Sequence, residues 1–257
     1  MLFSASVDNL KLSDFDSTMG YETNDNNRSL RFMELIAQYP KLNYDNFKKI
    51  KYDLQLPTQL AYQTNADSLF LLQPNEFPAL SGIISTLHQW DRKASIDSKG
   101  ATIFSIVYYQ VVKEQKKGAA YRTLSKRKSV ELLTFAKEYL IKYFGRTQVA
   151  LGEYQKLVRG DKVVSLSGIP DVISAMHSTP YKNGMVKGEQ GESYIEQVKF
   201  TPSGPEIETI NFYGASNDPN SEHYADQMEM FIQQKTKPMT LNKEKIYKEA
   251  KRIYHPE

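Results

Sequence analysis

Apolar positions recur at helical spacing early in the chain and at strand spacing later. Phe32, Leu35, Ile36 and Tyr39 stand three, four and seven apart from Ser29 onward, and Pro40 marks the end of the predicted helix. Asn43 is placed to cap a second helix carrying Phe47, Ile50 and Leu54. Pro78 suits the first turn of a third, which buries Leu80, Ile83, Ile84 and Leu87 and ends near Trp90. Ser98 caps a fourth that is apolar on most sides between Ile103 and Val112, the mark of a central helix. A longer amphipathic helix is expected from Ser129, with Leu132, Ala136, Tyr139, Leu140 and Tyr143 on one face and Gly145 after its end.

Beyond that point Gly and Pro recur every few residues, and the segments between them are short and strand-like. Residues 193–200 and 206–212 are predicted as two strands joined by a tight loop, Pro202-Ser203-Gly204-Pro205. Residues 221–233 form a predicted helix with Tyr224, Met228 and Phe231 inward, and a basic helix over 243–252 closes the chain. The pattern therefore divides one α+β domain into a mostly helical segment, 1–145, and a strand-rich segment, 146–257. Residues 1–27 are polar and end in Thr23-Asn24-Asp25-Asn26-Asn27, a composition that favours turns.

Composition removes several classes of function. The 257 residues carry 33 basic and 30 acidic side chains, a balance of +3 that argues against a dedicated nucleic-acid or membrane-surface protein. The one basic run, Lys113 to Lys128, has the character of a solvated connection between two helices. The chain has no cysteine, which excludes disulfides, zinc-thiolate sites and a thiol nucleophile. No apolar run is long enough for a membrane-spanning helix, and the first ten residues lack the pattern of a signal peptide.

The sequence offers little chemistry unaided. A nucleophile elbow needs G-x-S-x-G, and Gly214-Ala215-Ser216 and Gly191-Glu192-Ser193 both fail at the second glycine. Ser125-Lys126-Arg127-Lys128 fits S-x-x-K inside a basic run, where a chance match is expected. His88, His177, His223 and His255 lie far apart, and His223 with Asp226 on one predicted helix face makes only two groups of a site. No phosphate-binding glycine loop is present.

Several segments, in order along nearly the whole chain, resemble the C-terminal region of the penicillin acylase family, which includes acyl-homoserine lactone and cephalosporin acylases. They are NNRSLRFMELI from Asn26, WDRKASIDSKGATIF from Trp90, GEYQKLVRGDK from Gly152 and SGIPDVISA from Ser167. GESYIEQVKF from Gly191, YGASNDPNSEHYADQMEMF from Tyr213 and the terminal RIYHP continue the series. The resemblance implies the C-terminal portion of an N-terminal-nucleophile hydrolase, an αββα fold of four layers. In that family self-cleavage exposes a serine as the first residue of the β subunit. Its own α-amino group, with a pKa near ~8, serves as base. An asparagine and backbone N–H groups hold the oxyanion while a linear amide is split into acid and amine.

The resemblance places the nucleophile and the oxyanion asparagine N-terminal to this chain. Met1 is followed by Leu2, so removing the initiator exposes no hydroxyl, and Asn24, Asn26 and Asn27 lie too near the first helix to replace the asparagine. Arg28 matches the family arginine that orients that asparagine and the substrate end of the cleft; the alternative is an exposed arginine at a helix start. Arg31 is expected to serve as a packing or ion-pair partner. Some members hold a structural calcium through an aspartate shortly before that arginine. Asp14 and Asp16 are the candidates, with Asp16 preferred, against the alternative of two turn aspartates.

Two functional readings follow. In one, the chain is part of an amidase, without a catalytic cofactor, that needs an N-terminal portion bearing the nucleophile and takes a small-molecule amide. In the other it is a non-catalytic binding or assembly module derived from the same fold. By resemblance the complete parent enzyme is periplasmic or secreted.

Overall fold

A computed structural model of the chain describes residues 25–61, 67–117 and 124–253. Helices dominate the first part: α1 (Asn27–Ile36), α2 (Tyr44–Lys51), α3 (Ser81–His88), α4 (Lys99–Gln115), α5 (Lys126–Phe144) and the single turn α6 (Leu151–Tyr154). Strands β1 (Gln155–Arg159), β2 (Lys162–Ser165), β3 (His177–Pro180), β4 (Val186–Gln190), β5 (Tyr194–Thr201) and β6 (Gly204–Asn211) follow. The chain continues through α7 (Met228–Ile232), β7 (Lys237–Met239) and α8 (Lys243–Glu249). The α+β class expected from the pattern holds. Two compact units form, one from residues up to Val158 with Val163–Gly191, the other from Arg159–Lys162 with the residues from Glu192 onward.

Polar caps fix the helices of the first unit. Asn43 Oδ1 accepts from the Asn46 amide at 2.8 Å, and Ser98 Oγ from the Ala101 amide at 3.1 Å. Gly145, at φ 70°, closes α5 by donating to the Ile141 carbonyl. α5 starts earlier than the expected Ser129, because Ser125 caps it through the Lys128 amide; Ser129 is buried and donates to Ser68 Oγ at 3.1 Å. Ile83, Ile84 and Leu87 of α3, Ile103 and Phe104 of α4, and Leu132, Leu133 and Leu140 of α5 meet in one apolar core. Gly100 lets Trp90 lie directly on α4: a Cβ there would come within 2.3 Å of Trp90 Cγ.

A four-stranded sheet, in the order β2-β1-β4-β3, follows these helices. β1 and β4 run parallel while β3 and β4 run antiparallel, with a bulge between His177 and Ser178.

In the second unit β5, β6 and β7 form an antiparallel sheet in that order. The β5–β6 hairpin is tighter than expected: its last pair is Thr201 with Gly204, leaving Pro202 and Ser203 at the tip and Gly204 at φ 116°. The helix expected over 221–233 is reduced to α7. The Gln227 amide donates to the Tyr213 carbonyl, and the His223 carbonyl accepts from Ser216, so the bond a helix would make between them is spent elsewhere. A Cβ on Gly214 would meet the His223 carbonyl at 2.2 Å, so this folded-back path needs glycine. The C-terminal helix spans 243–249 and stops short of the expected 252.

Candidate functional site

Arg28 stands in the first turn of α1, and the residues around it are tied down from several directions. Asn26 caps the helix reciprocally with Ser29: Asn26 Oδ1 accepts from the Ser29 amide at 2.9 Å, and Ser29 Oγ accepts from the Asn26 amide at 3.0 Å. Ser29 Oγ also lies 3.0 Å from Asp25 Oδ1. Asn27 is buried and works in both directions, accepting from the Ala61 amide at 2.6 Å and donating to Asp171 Oδ2 at 3.3 Å. The half-buried Arg28 is therefore set beside the loop that carries Asp171.

That loop, residues 166–176, is itself held rigidly. Gly168 (φ 87°) and Asp171 (φ 70°) both occupy the left-handed region, which a non-glycine residue adopts at a cost. A Cβ on Gly168 would fall 2.7 Å from the Ser174 carbonyl. Ile169, Val172 and Ile173 are buried, and the Ser174 amide donates to the Asp53 carbonyl. Gln155, buried in β1, donates through Nε2 to the carbonyls of Gly168 (2.7 Å) and Leu166 (3.2 Å), and its Oε1 accepts from Ser178 Oγ at 3.0 Å. The Ser178 amide at the β3 bulge donates to the Tyr109 hydroxyl at 2.7 Å.

Tyr108 and His177 complete the cluster. Burial pushes the Tyr108 phenol well above its usual range; the negative charge of Asp171 adds to this and Arg28 opposes it. Loss of solvent on its crowded side pulls the His177 imidazole below its usual pKa, with Asp171 raising and Arg28 lowering it further. Tyr109 is raised by burial, against the Ser178 hydrogen bonds. Arg28, Asp171, Tyr108 and His177 thus share one electrostatic neighbourhood: a fixed cation, a carboxylate, a phenol that stays protonated and an imidazole that stays neutral at pH 7. Such a set orients a polar partner and donates hydrogen bonds, and it contains no activated nucleophile.

Of the residues singled out from sequence, Arg28 lies in this cluster and Asp14 and Asp16 lie outside the described residues. Arg31 is an ion-pair partner as expected, bound to Asp53 and Glu34. His223 and Asp226 do meet, Nδ1 to Oδ2 at 2.9 Å, on an exposed turn of the second unit and without a third ligand. Among the described residues no group of three or more His, Asp or Glu is placed to hold a metal ion. No described helix is long and apolar enough to cross a membrane. Sequence reasoning missed Asp171, Tyr108 and His177; the one signal was an aspartate in the Gly168–Pro170 loop, the usual setting of a left-handed residue.

A sequence model of the penicillin amidase family matches residues 3–248. An acyl-homoserine lactone acylase PvdQ from Pseudomonas fluorescens strain Pf0-1 is 22% identical over 207 residues, covering 73% of this chain and 27% of that protein. The PvdQ of P. fluorescens strain Pf-5 is 30% identical over 88 residues, 33% of this chain and 11% of that protein. A thermostable penicillin G acylase structure from Alcaligenes faecalis overlays with a TM-score of 0.48 and 14% identity, covering 97% of this chain and 56% of the other. The chain thus spans about a quarter of the first relative's length. The family match over nearly the whole chain settles membership: this chain belongs to the penicillin amidase family.

Proposed function

We propose that the chain is the C-terminal portion of an amidohydrolase that splits linear amides into an acid and an amine, and that it acts only with an N-terminal portion carrying the nucleophile. Family membership supports the reaction class. The observation that carries the reading is the clamp on α1: Asn27, fixed between Ala61 and Asp171, holds Arg28 at the head of its helix beside a rigid, polar loop. Arg28 would orient the oxyanion asparagine of the partner portion. Asp171 would fix the guanidinium, and Tyr108 would line the cleft as a neutral donor.

In this reading the N-terminal serine attacks the carbonyl, its α-amino group takes the proton and returns it to the departing amine, and water then releases the acid. The two sheets would belong to a four-layer αββα sandwich shared with that portion. A structural calcium at Asp16 and an exported parent enzyme remain part of the proposal, while catalysis needs no cofactor.

Co-expression with the nucleophile-bearing portion of a relative, followed by assay on acyl p-nitroanilides and acyl-homoserine lactones, tests it. A one-to-one complex that turns over, with neither part active alone, is expected. Turnover by this chain alone would overturn the proposal.

A further inference from the structure

Independently of the acylase reading, the second unit shows an edge shaped to receive its own copy. Among the described residues β5 is the outer strand of the β5-β6-β7 sheet, and its register with β6 is regular over all eight residues, without a bulge. It contains no proline and a single lysine, so it lacks the usual devices that protect an exposed edge.

Backbone parity says which groups face outward. The Phe212 amide donates to the Ser193 carbonyl, so the odd-numbered residues 195, 197, 199 and 201 bond to β6. The amides and carbonyls of Tyr194, Glu196, Val198 and Phe200 therefore point to the open edge. The side chains of the same residues occupy the exposed face: Tyr194 is 49% and Phe200 85% exposed. Gln197, on the opposite face, is only 2% exposed, and neither its Oε1 nor its Nε2 finds a hydrogen-bond partner among the described residues. A buried amide with both ends unpaired is costly and points to a missing partner group.

We propose that β5 is a homodimerisation edge, with two copies joined β5 to β5 antiparallel across a twofold axis at Gln197. A twofold normal to the sheet keeps like faces together, so opposed residues must be both odd or both even. Centring on Gln197 opposes Tyr194 to Phe200 of the second copy, Glu196 to Val198, and Gln197 to itself. The outward-pointing even residues then form the hydrogen-bonded pairs, giving about eight new backbone bonds. Gln197 falls on the close, non-hydrogen-bonded pair, where two amides can bond each other reciprocally. The exposed tyrosine and phenylalanine become cross-strand aromatic pairs, one at each end. Centring on Glu196 or Lys199 would instead oppose like charges. The register is thus chosen by charge, by the aromatic pairs and by the unsatisfied amide, and the dimer closes as a single six-stranded sheet.

The absence of cysteine makes the test direct. In the proposed register the two Gln197 Cα atoms are about 4.5 Å apart, within disulfide reach, whereas those of Lys199 are not. Sedimentation of the wild-type chain is expected to show a dimer. Gln197→Cys should cross-link it under mild oxidation, and Lys199→Cys should not. Val198→Pro removes only an outward amide and leaves the β6 ladder untouched, so it should weaken the dimer more than about tenfold, as loss of two hydrogen bonds implies. A circular-dichroism melt of that variant checks that it is folded. A monodisperse monomer overturns the proposal, as does equal cross-linking at 197 and 199, or a dimer indifferent to a folded Val198→Pro.

Discussion

The guanidinium of Arg31 closes on both carboxylate oxygens of Asp53, Nε to Oδ1 and Nη2 to Oδ2, each at 3.0 Å. Its remaining terminal nitrogen reaches Glu34 Oε2 at 3.0 Å, and Glu34 Oε1 accepts from the Thr58 amide at 2.7 Å. Asp53 faces the other way through its carbonyl, which takes the Ser174 amide. One residue therefore joins α1 to the Asp171 loop, and the hydrogen bonds from Asp53 raise the Arg31 pKa further.

Because both side chains of the pair are largely buried, removing one partner strands the other. Arg31→Ala should destabilise the chain by about 3 kcal/mol, and Arg31→Lys by less, since a lysine cannot make the two-pronged contact. Urea unfolding of the variants measures both.

Asp171 separates two contributions. Asp171→Gly keeps the left-handed backbone and loses the carboxylate; Asp171→Ala loses the carboxylate and keeps the strain. The alanine variant should be about 1 kcal/mol less stable than the glycine variant. Both should lose activity in the complemented enzyme to a similar extent. A glycine variant of full activity would show that the carboxylate has no part in the site.

Arg28→Ala in that complex should lower kcat at least about a hundredfold if Arg28 aligns an oxyanion donor, with assembly unchanged by gel filtration. Arg28→Lys, which keeps the charge and loses the planar fork, should recover only a small part. Unchanged kinetics in Arg28→Ala would make it a surface residue.

His177 has a folded-state pKa below its unfolded value of about 6.5. The unfolded chain therefore binds the extra proton first, and stability is lost as pH falls from about 6.5 through the folded pKa. Melts across that window should show a loss of stability that His177→Asn reduces. The imidazole titration, followed by NMR in the folded protein, should lie on the acid side of a free histidine.

Much of the first unit was legible because its helices carry local punctuation. Asn43, Pro78, Ser98 and Gly145 mark ends that depend on nearby residues only. Ser125 and Ser129 show the limit of this: both are able caps, and only the packing of Ser129 against Ser68 decides between them. Residues 221–227 failed for a related reason. Their pattern is helical, but the Tyr213 carbonyl and the Ser216 amide, distant in sequence, compete successfully for the helix's own hydrogen bonds. The site followed the same division. Arg28 was visible by resemblance, whereas Asp171, Tyr108 and His177 come together only after three separate segments fold.

Gln155 carries an evolutionary consequence. Its amide splices β1 to the 166–168 turn and to the β3 bulge by donating at one end and accepting at the other. Glutamate, though the same size, would turn an acceptor toward two carbonyls, and methionine would leave all three groups unanswered. Variation at this position is therefore filtered by the polarity of a single side chain and scarcely by its volume. The exposed residues of the loop it anchors are freed by the same arrangement: they can drift and reshape the cleft wall while the path of the backbone beneath them stays fixed.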